Sequence, residues 1–116
     1  MKTSELTGRA LDWAVANCEG LTCFGYELTE DTLTIVLSDG PYENFSPSRE
    51  WAQGGAIIER EMLTVTPAKH AGWQAFAWPK TRAIWGDTPL EAAMRCYVAS
   101  KLGDEIEVPD EFMSRV

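Results

Sequence analysis

The chain has little of what most site chemistries require. A single histidine, His70, stands in the loop-like stretch TPAKHAGW, and no nucleophile–base pair can be built from spacing around it. The three cysteines, Cys18, Cys23 and Cys96, form no C-x-x-C pair, so reduced structural thiols are expected and no metal site. No apolar run approaches the ~20 residues that span a bilayer. The opening stretch MKTSELTGRALDW lacks the apolar core of a secretory signal, which makes a cytoplasmic protein with no membrane partner the expectation. Basic residues are scarce: 10 Lys+Arg stand against 18 Asp+Glu, a net charge of −8. Such a surface repels nucleic acid as well as anionic membranes. Repeats, low-complexity tracts and linkers are absent too.

What remains is a chain of 116 residues, long enough for one domain spanning 1–116 with its own core. Residues 7–18 read as a first helix, with Thr7 as its cap and Gly20 past its end. Leu11, Ala14, Val15 and Cys18 share one face, and Trp13 lies off that stripe beside Arg9, to be covered by a neighbouring loop or strand. Phe24, Tyr26 and Leu28 alternate with polar neighbours, and TLTIVL at 32–37 is β-branched. A hairpin through Glu30-Asp31 follows, and Ser38-Asp39-Gly40-Pro41 breaks the pattern.

WQAFAW at 73–78 and Arg82–Trp85 read as a second hairpin through Pro79-Lys80-Thr81. It brings Trp73, Phe76, Trp78 and Trp85 together, either as cross-strand pairs or as a wall on which a ring stacks. The last helix carries the strongest local signals, with Thr88 as cap, Pro89 in the first turn and Gly103 at the end. Leu90, Ala93, Met94, Tyr97 and Val98 form its apolar face, while Ala92, Cys96 and Ala99 form a face of small residues. Arg95, between them, reads as a snorkelling surface arginine. Ile106 and Val108 suggest a terminal extended segment. The fold class expected is α+β, a small antiparallel β-sheet of three to five strands packed against two main α-helices.

The densest stretch is FSPSREWAQGGAIIERE, Phe45–Glu61. Ser48 can cap a short helical turn through Arg49, Glu50 and Trp51, and Gly54-Gly55 then interrupts it. Glycines at a loop-to-helix junction expose backbone amides, a geometry that suits an anion. Glu59, Arg60 and Glu61 read as a polar cluster in which Arg60 pairs with acids.

Three blocks are similar to one known family: LDWAVANCEG at Leu11–Gly20, SPSREWAQGGAIIERE at Ser46–Glu61, and TPLEAAMRCYVASKLGDEIEVPDEF at Thr88–Phe112. They resemble NinX, a family of small proteins of lambdoid phages and prophages. The family usually has Pro where Ala56 stands. The resemblance implies a phage accessory protein in the host cytoplasm and supplies no reaction. The order P-S-x-x-W-A at Pro47–Ala52 also resembles a stretch of phage Thoeris anti-defence proteins, which are small, oligomeric, non-enzymatic sponges for cyclic ADP-ribose-type signals.

The functional expectation is a non-enzymatic binding module with no cofactor and no catalytic residue. Ser48, Arg49, Trp51, Gly54, Gly55, Glu59 and Arg60 form its candidate site. Trp51 stacks on a ring, and the Gly54-Gly55 amides with Arg49 or Arg60 contact the phosphate of a small anionic, nucleotide-like ligand. The alternative is a protein-interaction factor. Its acidic surface and small-residue helix face would dock a host or phage protein, or a second copy in a homo-oligomer. A purely structural reading stands beside both: Trp51, Ile57 and Ile58 anchor a loop, and Glu59 and Arg60 satisfy each other.

Overall fold

The computed structural model describes residues 1–22, 24–30, 32–77 and 81–112. Helix α1, Gly8–Cys18, buries Leu11, Ala14 and Val15 as their spacing requires. It stops where Gly20 takes φ +71° and the Leu21 amide reaches back to the Ala16 carbonyl at 2.9 Å. Trp13 packs against Phe112, with ring centroids 5.6 Å apart, so the C-terminal 3-10 turn Asp110–Phe112 is what covers it.

Strands β1 (Tyr26–Leu28), β2 (Leu33–Leu37) and β3 (Gly40–Tyr42) form one antiparallel sheet in that order. The first hairpin is the expected one, with Tyr26 opposite Ile35 and Leu28 opposite Leu33. Strand β3 was not expected. The Ser38-Asp39 break is the loop of a second hairpin, in which Leu37 faces Gly40.

Strands β4 (Thr64–Pro67), β5 (Trp73–Phe76) and β6 (Ile84–Gly86) form a separate antiparallel sheet, again in chain order. The β5–β6 pairing is the expected one, with Gln74 opposite Trp85, but β5 ends at Phe76 and β6 starts at Ile84, not at Arg82. Trp78, Pro79 and Lys80 lie outside the described residues. Strand β4 went unread because it is short and ends in proline, which only an edge strand tolerates. The fold is α+β, but with two three-stranded sheets and three helices in place of one sheet and two main helices.

The third helix overturns the reading of Phe45–Glu61 as a short helical turn interrupted at Gly54-Gly55. Helix α2, Trp51–Glu61, runs through Gly54 and Gly55 without a break. The reason is a close approach. A Cβ on Gly54 would fall well inside van der Waals contact of the Pro47 carbonyl oxygen and 2.7 Å from Leu90 Cδ2. Only glycine lets α2 lie that near the Phe45–Ser48 segment, and that packing outweighs its poor helix propensity.

Helix α3, Pro89–Leu102, is capped as read: Thr88 Oγ1 accepts the Glu91 N–H at 3.1 Å, and Gly103 takes φ +89°. Every residue from Ala92 to Val98 is buried, because the β4–β6 sheet, α1 and α2 surround the helix. Ala92 and Cys96 are therefore spent inside the chain, and the small-residue face offers no docking surface there. Arg95 also departs from expectation. It is buried, with Nε donating to the Leu6 carbonyl at 2.6 Å and Nη1 to the Trp85 carbonyl at 2.9 Å. These carbonyls, with Glu91 at 3.7 Å, satisfy a guanidinium that would otherwise have to reach water. Past α3, Ile106 pairs with Met1 through both backbone groups, the extended terminal segment expected. No described helix is long and apolar enough to cross a membrane.

Candidate functional site

The start of α2 is held by groups from three directions. Phe45 is buried edge-on against Tyr42, with centroids 5.1 Å apart. Gln53 reaches back from the helix: its Oε1 accepts the Ser46 N–H at 2.8 Å, and its Nε2 donates to the Asn44 carbonyl at 3.2 Å. Ser48 donates its N–H to Asp12 Oδ1 at 2.8 Å. Ser48 therefore does not cap α2. Its Oγ and Asp12 Oδ2 are both buried and neither completes a well-formed hydrogen bond, although the hydroxyl acts on the Asp12 carboxyl. Burial pushes the Asp12 carboxyl up to about 6, against the opposing pull of the Ser48 amide and hydroxyl and the Arg49 charge. Neither Gln53 nor Asp12 was singled out from the sequence. The one signal for Asp12 was a lone carboxylate beside the apolar stripe of α1.

Ser48, Arg49 and Trp51 come together. With Thr88, Pro89 and Leu90 they outline a cleft of about 230 Å³ between the N-terminal ends of α2 and α3. Trp51 is 59% exposed and Arg49 lies at the surface. Gly54 and Gly55 do not expose a nest of amides; Gly54 donates to the Glu50 carbonyl at 2.8 Å as part of the helix start.

Glu59 and Arg60 lie at the far end of α2, about 13 Å along the axis from Trp51 at ~1.5 Å per residue. Glu59 is exposed, with no ion pair among the described residues. Arg60 is engaged at every nitrogen: by Glu19 at 2.6 and 3.0 Å, by Glu61 at 2.9 Å and by the Tyr97 hydroxyl at 3.1 Å. Tyr97 in turn donates to Glu19, and Lys101 pairs with Glu61 at 3.3 Å. Burial pushes Glu19 up, but the Arg60 and Tyr97 hydrogen bonds outweigh it and hold its carboxyl low. Arg60 thus pairs with acids as read, though with Glu19 and Glu61 and not with Glu59, and it has no free fork for a ligand phosphate.

A larger cleft, about 860 Å³, opens between the first turn of α1, β1 and the C-terminal turn. Arg9, Tyr26, Leu28, Glu111 and Phe112 are among its lining residues. Sequence reading found none of these as a site, because they come from three separated segments. The aromatic wall expected around β5 and β6 is not assembled in the described residues. Ring pairs occur instead at Trp13–Phe112, Tyr26–Phe112 and Tyr42–Phe45. Trp85 donates Nε1 to the Ala71 carbonyl at 2.7 Å and lies over Gly72.

His70 is exposed in the β4–β5 loop, and no group of His, Cys, Asp and Glu suited to a metal gathers among the described residues. Cys18 and Cys96 are free thiols, both pushed up by burial, Cys18 to about 12; Cys23 lies outside the described residues.

A family model described as bacteriophage P22 NinX matches residues 2–101. The chain belongs to the NinX family. It is therefore a phage-encoded accessory protein. A comparison with curated proteins finds no match. The NinX match takes in Asp12, the whole of α2 and the start of α3, hence both walls of the smaller cleft. It ends before Glu111 and Phe112, which close the larger one.

Proposed function

We propose that this NinX-family protein is a non-enzymatic binding module, and that its recognition cleft is the corner where α2 and α3 begin. The observation that carries this reading is Trp51, whose ring is 59% exposed on the lining of that cleft. Arg49 beside it adds a positive charge at the surface. Together they suit a small anionic ligand with a ring, of nucleotide-like chemistry, as a counter-defence sponge for such a signal would need. The volume, about 230 Å³, is below the ~300–1,000 Å³ usual for enclosing a whole small molecule, so the cleft grips one end. Turnover is not part of this reading: Asp12 does not line the cleft and His70 stands in the β4–β5 loop.

Thermal melting of the full chain against a panel of linear and cyclic nucleotides tests it. A ligand at ~100 times its Kd stabilises by about 2.7 kcal/mol, a shift of several degrees. Trp51→Ala and Arg49→Ala should abolish the shift, and no shift with any nucleotide would sink the proposal.

A protein-interaction role is favoured by one separate observation. The outer side of α2 carries Trp51, Ala52, Ala56 and, just past its end, Met62, which is 84% exposed. A second copy covering that strip would show in light scattering as a dimer, and Trp51→Ala would return it to a monomer. A monomer at high concentration would dispose of the homo-oligomer.

A further inference from the structure

We propose that the larger cleft, between the first turn of α1, strand β1 and the C-terminal turn, binds a nucleoside phosphate. Arg9 takes the phosphate, the Tyr26 ring, backed by Phe112, stacks on the base, and Glu111 accepts from the ribose hydroxyls. This goes beyond the α2–α3 corner, with different residues from different elements.

Size is the first argument. At about 860 Å³ the cleft falls in the range of small-molecule sites, where the α2–α3 corner does not. Charge is the second. Arg9 is half-buried on the cleft lining, yet it has no ion pair or hydrogen bond among the described residues. The other arginines with buried or clustered settings are matched, Arg60 by Glu19 and Glu61 and Arg95 by Glu91 and two carbonyls. In a chain of net charge −8, a half-buried cation that makes no ion pair keeps its whole donor fork for an incoming anion. Its place in the first turn of α1 adds the positive end of the helix dipole.

The remaining walls suit the rest of such a ligand. Tyr26 and Phe112 stand with centroids 5.1 Å apart and planes tilted by 47°, and Leu28 extends their apolar surface. The Tyr26 ring, with buried Phe112 behind it, is the face offered to a flat base. The Tyr26 hydroxyl donates to Glu111 Oε2 at 2.5 Å, which fixes the carboxylate and leaves Oε1 to accept from vicinal hydroxyls, the use a carboxylate finds on ribose elsewhere. Glu30 and Glu111 at the rim also disfavour a bare anion, so inorganic phosphate alone is a poor ligand.

The two clefts can be tested apart. Thr7, on the larger one, donates to Glu91 Oε2 at 2.8 Å, and the Glu91 N–H bonds to Thr88, on the smaller one. That ridge stands between them.

The experiment is isothermal titration of the full chain, at fixed ionic strength, with AMP, GMP, UMP and CMP, and with adenosine and inorganic phosphate as partial ligands. At least one nucleoside monophosphate should bind, at least tenfold more tightly than either partial ligand. Arg9→Ala should weaken it at least tenfold, and His70→Ala, exposed in the β4–β5 loop away from both clefts, should leave it unchanged. Should Arg9→Ala lower the melting temperature, Arg9→Gln, which keeps the stem, gives the same reading. Unchanged binding in the Arg9 variants overturns the proposal. If binding is then lost in Trp51→Ala, the α2–α3 corner is the site. No binding by any monophosphate overturns this proposal too, while larger or cyclic ligands at the corner stay separately testable by melting.

Discussion

Asp12 and Ser48 join the first helix to the start of the second through one buried contact, the Ser48 N–H on Asp12 Oδ1 at 2.8 Å. The contact is unequal. Asp12 answers a backbone donor with one oxygen, while neither Oδ2 nor the Ser48 hydroxyl completes a well-formed hydrogen bond. A carboxylate in that position is expensive to ionise, which is why its pKa rises from 3.8 to about 6.

A pH dependence follows, with a definite sign. The folded state holds the Asp12 proton more tightly than the unfolded state. Between pH 4 and 6 the folded chain therefore binds more protons, and stability from this group falls as pH rises. The loss approaches about 3 kcal/mol above pH 6, at ~1.4 kcal/mol per unit. Asp12→Asn keeps an acceptor for Ser48 and cannot ionise, so it should be more stable than the parent at pH 7 and similar to it at pH 4. Urea unfolding of both proteins at the two pH values checks this. An Asn variant that is less stable at pH 7 would show that the charge is compensated.

The Gly54-Gly55 pair separates packing from ligand binding. Gly54 faces the Pro47 carbonyl and Leu90 with no room for a methyl group, whereas a Cβ on Gly55 would meet only the Trp51 ring at 3.5 Å. Gly54→Ala should lose more than about 2 kcal/mol, through overpacking in a fixed contact. Gly55→Ala should gain about 0.5–1 kcal/mol from helix propensity. Denaturant midpoints read both. If the two variants behave alike, the close approach of α2 is not what the pair provides.

These contrasts also show what a sequence can carry. Helix α3 was legible because its signals are local: Thr88 caps, Pro89 starts and Gly103 ends. The β1–β2 and β5–β6 hairpins were legible from alternation. Strands β3 and β4 were not, because each carries a proline, Pro41 and Pro67, which argues against a strand and is tolerated here only at the sheet edges. Gly-Gly argued for a break, and a tertiary approach at Gly54 overrode it. Of the candidate site, Ser48, Arg49 and Trp51 stayed together because they are close in the chain. Arg60 left them because a helix of this length carries it to Glu19, a partner 41 positions away.

The Arg60 cluster should be sensitive to acid. Glu19 and Glu61 both have carboxyls held low, Glu61 by the Arg60 hydrogen bond foremost. A depressed folded-state pKa contributes stability that is present above the usual carboxylate range and lost as pH falls through the folded value. Arg60 is about half exposed, so solvent screening limits the cluster to about 1 kcal/mol. Arg60→Met should cost that amount at pH 7 and much less at pH 3. An equal cost at both pH values would mean that Arg60 acts through its stem alone.

Met62 offers the reverse experiment, a change that should strengthen the fold. It ends α2 with φ +55°, a left-handed conformation that side chains with a Cβ adopt at a cost of about 1 kcal/mol. The conformation is imposed by the helix end, where the Leu63 N–H turns back to the Ile58 carbonyl at 3.1 Å and buried Leu63 enters the core. The Met62 side chain itself is 84% exposed, so it contributes almost no burial to offset the strain. Met62→Gly should raise stability by about 0.5–1 kcal/mol in urea unfolding, since glycine takes this conformation freely but is also freer when unfolded. If the variant is instead destabilised in the monomer, the Met62 side chain has packing that this geometry does not show. If it is destabilised only at concentrations where the chain self-associates, the exposed strip of α2 is an interface, and Met62 belongs to it.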